Sequence, residues 1–192
     1  MKRLLLSILA ISMILVSCTF NTEEKILKKL EKHLDKYSGY KTELKMQTIM
    51  DNENSQYKMK ESYTLGGKYK LVITEPSESD DIVIEYDGDK IYIKHASMKE
   101  SIELNPIKKF DQSLLIGKFL RERKNIKSIK VEKIDNVDYY VFYNNIENKN
   151  KYSKKQIIYL KKKGFEPYKL KILDENSNER VIIEYSDFKY IK

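Results

Sequence analysis

IVIEYDGDKIYI, residues 82–93, decides the fold class of this chain. Two runs rich in isoleucine, valine and tyrosine stand on either side of Asp87-Gly88-Asp89. β-Branched and aromatic residues suit a half-buried pleated surface, and an Asp-Gly pair between two such runs is a strong signal for a tight hairpin. The stretch therefore predicts two antiparallel strands joined by a short turn.

A similar alternation of apolar and polar residues extends through most of the sequence. It predicts strands near 40–48, 57–63, 69–73, 82–86, 91–93, 99–104, 127–134, 137–145, 154–162, 166–173 and 179–190. Short turns separate successive runs, among them Gly66-Gly67 and residues 146–151. Strands joined by short turns pair in the antiparallel sense. We therefore expect an α+β chain that is mostly β, with about eleven strands in one antiparallel sheet.

An amphipathic helix is predicted before the first strand. Thr22 can cap its start and Gly39 can end it. Apolar residues at helical spacing form one face of this helix: Ile26, Leu27, Leu30, Leu34 and Tyr37. The sheet is the obvious surface for that face to pack against.

A second helical segment is predicted as an insert near 106–121. Asn105-Pro106 is a good helix start, since asparagine caps well and proline suits the first helical position. Gly117 weakens the middle of the segment, so that two short helices are an alternative to one.

The N-terminus has the layout of an export signal. Lys2 and Arg3 precede an uncharged, mostly aliphatic run, Leu4–Val16, which is too short to span a bilayer comfortably. Leu15–Cys18 resembles the lipobox of bacterial lipoproteins, which implies cleavage before Cys18 and a lipid on its thiol. The alternative is that Cys18 is a small apolar residue within an N-terminal membrane anchor.

Cys18 is the only cysteine, and lipidation would leave no free thiol in an oxidising space. We therefore expect a lipoprotein signal peptide over 1–17, a single domain over 18–192 and a membrane anchor through Cys18. Loss of Lys2 and Arg3 with the signal would lower the formal net charge from +8 to +6.

The excess of lysine suggests an anionic partner such as a membrane surface or a cell-wall polymer. Lysines alternate with apolar residues in segments such as Tyr168–Ile172, however, which favours a solvated sheet face. Export argues against nucleic acid as a partner.

Two quoted segments carry a family resemblance. GKYKLVI, residues 67–73, and IEYDGDKIY, residues 84–92, are similar to the middle strands and following hairpin of the LolA/LolB-like lipoprotein-carrier fold. That resemblance implies a half-barrel, an incomplete antiparallel barrel that wraps around helices. Together with the lipobox and the insert Asn105–Leu120, it also resembles the GerS-like germination lipoproteins of clostridial spore formers.

The second resemblance implies a function and a place. Such lipoproteins are non-catalytic partners of an N-acetylmuramoyl-L-alanine amidase in the modification of cortex peptidoglycan. The resemblance therefore implies a chain that lies between the two forespore membranes, binds and activates the amidase, and supports germination. No partner-contacting residue can be transferred individually.

The sequence offers little catalytic chemistry. His33 and His95 have no second ligand at a metal-binding spacing, and neither a nucleophile elbow nor a phosphate-binding glycine loop is present. The acidic pairs fall at a helix start and in loops, where capping and solvation explain them: Glu23-Glu24, Asp80-Asp81 and Asp174-Glu175. We expect no enzyme, no catalytic residue, no metal and no cofactor.

A partner surface is one candidate site. Its members are aromatic: Tyr139, Tyr140, Phe142 and Tyr143. Aromatic side chains supply binding energy at protein interfaces, but ordinary packing on both faces of a sheet also explains the cluster. Open sheet edges make a homodimer by strand exchange a further expectation.

The alternative is a carrier that holds acyl chains in the concave face. Its candidate lining residues are Leu71, Ile73, Ile84, Ile91 and Leu170. A carrier needs an apolar cavity that stays open without its ligand, whereas the same residues could equally form a filled core. A structural envelope lipoprotein without a defined partner is a third possibility.

Overall fold

The computed structural model describes residues 22–50, 53–79, 81–95, 97, 101–104 and 114–192. The chain divides into two compact units, Met1–Lys36 and Tyr37–Lys192. The signal segment and Cys18 lie outside the described residues. None of the helices in the described ranges is long and apolar enough to cross a membrane.

The described part of the first unit is one helix, α1, over residues 22–34. Ile26, Leu30 and Leu34 are buried, as the spacing predicts for one apolar face. On the exposed side, the Lys28 Nζ lies 2.7 Å from a carboxylate oxygen of Glu24, one turn earlier. The predicted N-terminal helix is therefore confirmed.

The described residues of the second unit form eleven strands. They are β1 (Gly39–Ile49), β2 (Asn54–Thr64), β3 (Tyr69–Glu75), β4 (Ile82–Tyr86), β5 (Ile91–His95), β6 (Ile102–Leu104), β7 (Ile126–Ile134), β8 (Val137–Asn150), β9 (Ser153–Lys161), β10 (Pro167–Leu173) and β11 (Glu179–Ile191). All form one sheet in the order β6-β5-β4-β3-β2-β1-β11-β10-β9-β8-β7. Each neighbouring pair is antiparallel, so the predicted eleven-stranded antiparallel architecture is confirmed.

The strand register separates two faces. Leu71 is paired with Ile84 and Ile84 with Ile93, so these apolar side chains share one face, which we call the inner face. The opposite, outer face carries the lysines. There Lys70 lies 2.8 Å from Glu85 and Lys169 lies 2.9 Å from Glu184, so the lysine-rich face is solvated and paired, as the alternation predicts.

A second helix, α2 (Ile116–Glu122), is buried through Ile116, Gly117, Phe119 and Leu120. The Phe119 ring meets the Phe142 ring of β8 edge-on, with centroids 5.0 Å apart. Helix α2 therefore covers the inner face of the sheet at β8.

Gly117 has a packing role that its helix propensity does not reveal. A Cβ atom at this position would overlap the ring of Tyr63 on β2. The structure has Gly117 inside a single helix, because only a residue without a side chain lets the helix backbone approach that ring. The first half of the predicted insert, residues 105–113, lies outside the described residues.

Several predicted strand limits differ from the structure; β2, for example, begins at Asn54 instead of Tyr57. β8 continues to Asn150, where the polar sequence predicted a turn over 146–151. Asn150 pairs with Ser153, so the hairpin turn is confined to Lys151-Tyr152. The register of β8 against β9 shifts between Asn145 and Asn150. β6 begins at Ile102, and residues 99 and 100 of the predicted strand lie outside the described residues.

Candidate functional site on the inner face of the sheet

The structure divides the four candidate partner residues between two faces. Tyr140 and Phe142 lie on the inner face, where Tyr140 stacks on Phe165 with ring centroids 5.6 Å apart. Both are buried, so in this conformation they belong to the core. Successive residues of a strand point to opposite faces, and the sequence alone already contained that signal.

Tyr139 and Tyr143 lie on the outer face. Tyr139 is also buried and packs beside Tyr168, with ring centroids 4.8 Å apart. Tyr143 is half-buried, and its hydroxyl donates a hydrogen bond of 3.1 Å to Glu132 on β7. Burial, and then the hydrogen bond to Glu132, raise the pKa of Tyr143 to about 12, so its hydroxyl stays protonated at neutral pH.

The five candidate lining residues all share the inner face. Leu71 and Ile84 are paired, and Ile73 is paired with Met59, which in turn is paired with Leu44. Leu170 reaches the same face through its pairing with Ile183. Leu170, Ile73 and Ile91 are buried, whereas Leu71 and Ile84 are half-buried.

The inner face has two regions with different packing. The packed half comprises its residues on β8–β11, where several side chains are fully buried: Phe142, Ile158, Leu160, Leu170 and Ile183. The open half comprises its residues on β3–β6. At its edge Ile102 is 65% exposed and Leu104 is 42% exposed.

Glu61 is a site residue that our sequence reasoning missed. It lies on β2 on the inner face, paired with Thr42 and Leu71, and is only 2% exposed. The Tyr40 hydroxyl donates a hydrogen bond to its Oε1, and its Oε2 has no hydrogen-bond partner among the described residues. Burial raises the pKa of this carboxyl to about 7. The sequence did contain a sign of this: Glu61 stands among alternate residues of the strand that are otherwise apolar or aromatic, namely Tyr57, Met59 and Tyr63.

The two edges of the sheet are unequal. β6 has three residues, whereas β7 has nine and pairs with β8 alone among the strands that the structure describes. Beside β7 on the outer face, the Lys130 Nζ lies 5.1 Å from the centre of the Tyr143 ring. Edge strands present unpaired backbone groups that another chain can bind.

The described side chains bring together no group of three or more histidine, cysteine or acidic residues that could hold a metal ion. His95 ends β5, and its Nδ1 lies 2.7 Å from the Ser97 hydroxyl. His33 lies on α1. The two histidines are therefore on different units of the chain.

Comparisons with solved structures agree with this architecture. The structure of the CwlD amidase from Clostridioides difficile in complex with the GerS lipoprotein matches at 25% identity and a TM-score of 0.53, covering 88% of this chain and 95% of that chain. An uncharacterized conserved protein from Thermus thermophilus matches at 8% identity and a TM-score of 0.57, covering 89% and 88%. A putative outer membrane lipoprotein-sorting protein domain from Vibrio parahaemolyticus matches at 14% identity and a TM-score of 0.50, covering 88% and 92%.

Sequence comparison defines the family. No curated protein matches the sequence significantly. The family model of YdcC-like sporulation proteins matches residues 1–192. The resemblance to GerS-like proteins of LolA-like fold is confirmed. The chain belongs to the YdcC-like sporulation protein family.

Proposed function

We propose that this chain is a lipid-anchored, non-catalytic partner that binds and activates a cell-wall N-acetylmuramoyl-L-alanine amidase, supporting cortex modification and germination. The likeness to a solved complex of an amidase with a lipoprotein carries this proposal, because it extends over nearly the whole chain at 25% identity. Membership of a sporulation protein family agrees with it.

The outer face beside β7 is the surface that we propose for the partner. A second chain can extend the sheet there by backbone hydrogen bonds, which supply affinity without demanding a particular sequence. Tyr143, held between Lys130 and Glu132, offers an aromatic side chain next to that edge. Of the four aromatic residues first considered, the proposal therefore retains Tyr143 as the partner contact.

The anchor is a separate part of the proposal. Cleavage before Cys18 and lipidation of its thiol would hold the domain on the outer face of a membrane, in the space between the forespore membranes during sporulation. Metabolic labelling with a radioactive fatty acid is expected to label the wild type and not Cys18→Ala, which lacks the acylated thiol. A wild-type protein that stays in the membrane fraction without label would instead indicate an unlipidated N-terminal anchor.

Co-purification with the cortex amidase of the same organism tests the amidase proposal. We expect the Cys18→Ala chain to retain the amidase and to raise its rate of peptidoglycan cleavage. Tyr143→Ala should weaken both effects, whereas Tyr92→Ala serves as the control, since Tyr92 is also half-buried on the outer face, on β5. The absence of both binding and stimulation at micromolar concentration would reject an activating partner.

The same preparation tests the expected homodimer. Light scattering of the Cys18→Ala chain gives its mass directly. A dimer by strand exchange is expected to dissociate only on unfolding, because the exchanged strand contributes to the core of its partner. A monomer at all concentrations would remove the dimer from the proposal and leave the amidase proposal unchanged.

Acyl-chain binding is the alternative function, and the exposure of the open half favours it. Ile102 extends an apolar row that continues through Ile93 and Ile84 to Leu71, and Leu104 is paired with Ile91 beside it. A fatty acid that binds there should protect Ile102→Cys from thiol labelling. Unchanged labelling, together with no lipid in an organic extract of the purified protein, would remove this alternative.

A further inference from the structure

Two amide side chains interrupt the packed half of the inner face. Asn144 on β8 and Gln156 on β9 are directly paired in the register, in line with the apolar pair Phe142 and Ile158. They are 5% and 7% exposed, respectively. Buried amides are costly unless their donors and acceptors are hydrogen-bonded. Packing of the core therefore does not explain why this buried pair consists of amides instead of apolar residues.

The hydrogen bonds of the pair leave one acceptor available. The Asn144 Nδ2 donates to the Gln156 Oε1 at 3.2 Å. The Asn144 Oδ1 is buried and has no hydrogen-bond partner among the described residues. Beside it lies a cavity of about 50 Å³ between the C-terminal half of α2 and strands β8 and β9. A donor placed in this cavity would satisfy the free acceptor.

The size of the cavity limits what can enter. One water needs roughly 10–15 Å³ by the same measure, so the space takes about three to five non-hydrogen atoms. The cavity is partly open, so that a ligand can reach it from solvent. The site therefore suits the end of a molecule rather than a whole cofactor.

The charges around the cavity select an anion. Lys118, Arg123 and Lys124 line it, against one carboxylate, Glu122. The Glu122 carboxylate is held by Arg121 at 2.6 Å, and the Arg123 guanidinium donates to the Leu120 carbonyl at the end of α2. Lys118 and Lys124 form no ion pair with the described residues, although both help to lower the pKa of Glu122, and three cations against one carboxylate leave an excess of positive charge for a ligand.

We propose that this cavity binds the C-terminal end of a peptide, with its carboxylate at Lys118 and Lys124 and its last amide N–H donated to the Asn144 Oδ1. A peptide terminus places an amide donor and a carboxylate one carbon apart, which matches an acceptor and cations lining one small cavity. Its last residue must be small, of glycine or alanine size. This inference does not depend on the amidase proposal.

Three small probes test the carboxylate contact and the amide contact separately. N-Acetylglycine carries both groups, N-acetylglycinamide lacks the carboxylate, and acetate lacks the amide. With the full-length chain in detergent, saturation-transfer NMR at roughly 10 mM probe should detect N-acetylglycine most strongly, since so small a ligand binds weakly. Equal signals from all three probes, or none from N-acetylglycine, would overturn the proposal.

Two variants locate the binding. Asn144→Leu removes the acceptor and should weaken N-acetylglycine by about tenfold, as expected for the loss of one buried hydrogen bond. Lys124→Ala changes an exposed side chain and should reduce the preference for N-acetylglycine over N-acetylglycinamide while leaving the amide pair intact. Lys60→Ala, on the outer face, is the control and should change neither. If Lys124→Ala and Lys60→Ala bind N-acetylglycine alike, the cavity is not the site.

Discussion

The packed half and the open half of the inner face contain the same kinds of residue but differ in burial at the sheet edge, since Ile73 and Ile91 of the open half are buried whereas the apolar side chains of β6 are exposed. Leu160 on β9 is fully buried, whereas Leu104 on β6 is 42% exposed, although both are leucines on the same face of the same sheet. Helix α2 covers the packed half through the contact of Phe119 with Phe142. Burial on this face is therefore set by what packs on it, and not by the hydrophobicity of its residues.

That difference has a functional meaning. The packed half fixes the geometry of the sheet and of α2, and it leaves little apolar surface for a ligand. The open half exposes apolar side chains at its edge, and stable monomeric proteins rarely expose large groups of such side chains. An acyl chain would therefore gain more from the open half than from the packed half.

The largest expected effect is the difference between two matched leucines. Leu160→Ala should lower the free energy of unfolding by about 2–5 kcal/mol, because it leaves a cavity in close-packed surroundings. Leu104→Ala should change it by less than about 1 kcal/mol, since that side chain is already largely solvated. Urea unfolding of both variants measures the comparison. Similar losses of unfolding free energy in the two variants would mean that Leu104 is as tightly packed as Leu160.

The next effect is a pH dependence that arises at Glu61. Its pKa of about 7 in the folded protein lies above the ordinary carboxyl value of 4.5, so the folded state holds the proton more tightly than the unfolded state. The contribution of the protonated Glu61 carboxyl to the free energy of unfolding is fully present below pH 4.5. It is lost as the pH rises through 7, and the total loss is up to about 3 kcal/mol.

Unfolding of wild type and Glu61→Gln at several pH values isolates this contribution. The amide cannot ionise, so the difference in stability between the two proteins should grow between pH 4.5 and 8 in favour of the variant. Glu43→Gln, which removes an outer-face carboxylate on β1, should follow the wild type. A constant difference between wild type and Glu61→Gln would show that the carboxyl is not buried in the way described.

Gly117 tests the fit of α2 on the inner face. Gly117→Ala places a methyl group against the Tyr63 ring and should cost about 1–3 kcal/mol, despite the better helix propensity of alanine. Gly66→Ala is the matched control, because the nearest atom to its Cβ would be the Thr64 Oγ1 at 3.7 Å. Thermal unfolding that shows Gly117→Ala to be more stable than wild type would contradict the close contact.

The smallest effect concerns the outer face. The Glu85 carboxylate bonds to Lys70 at 2.8 Å and to Lys94 at 3.1 Å, and these cations lower its pKa. Because the pairs are solvated, Glu85→Gln should change stability by less than about 1 kcal/mol, and less still in high salt. A larger loss would give the outer face a structural role that the packing does not suggest.

Most of the strands and their faces could be predicted from sequence, since alternation is a local property. The hairpin at Asp87-Gly88-Asp89 and the shared face of the five candidate lining residues follow from it directly. The four candidate partner residues were grouped by their aromatic chemistry, and the structure places Tyr140 and Phe142 on one face and Tyr139 and Tyr143 on the other, as the alternative of ordinary packing on both faces describes.

The sequence by itself determined the number and pairing sense of the strands, the N-terminal helix and the lysine-rich solvated face, because periodicity and turn residues act over a few neighbours. Only the tertiary structure decided which half of the inner face is buried, why position 117 is glycine, and that Glu61, Asn144 and Gln156 are polar groups inside the fold. Those properties depend on contacts between segments far apart in the chain, such as α2 with β2 and β8, and no local pattern encodes such contacts.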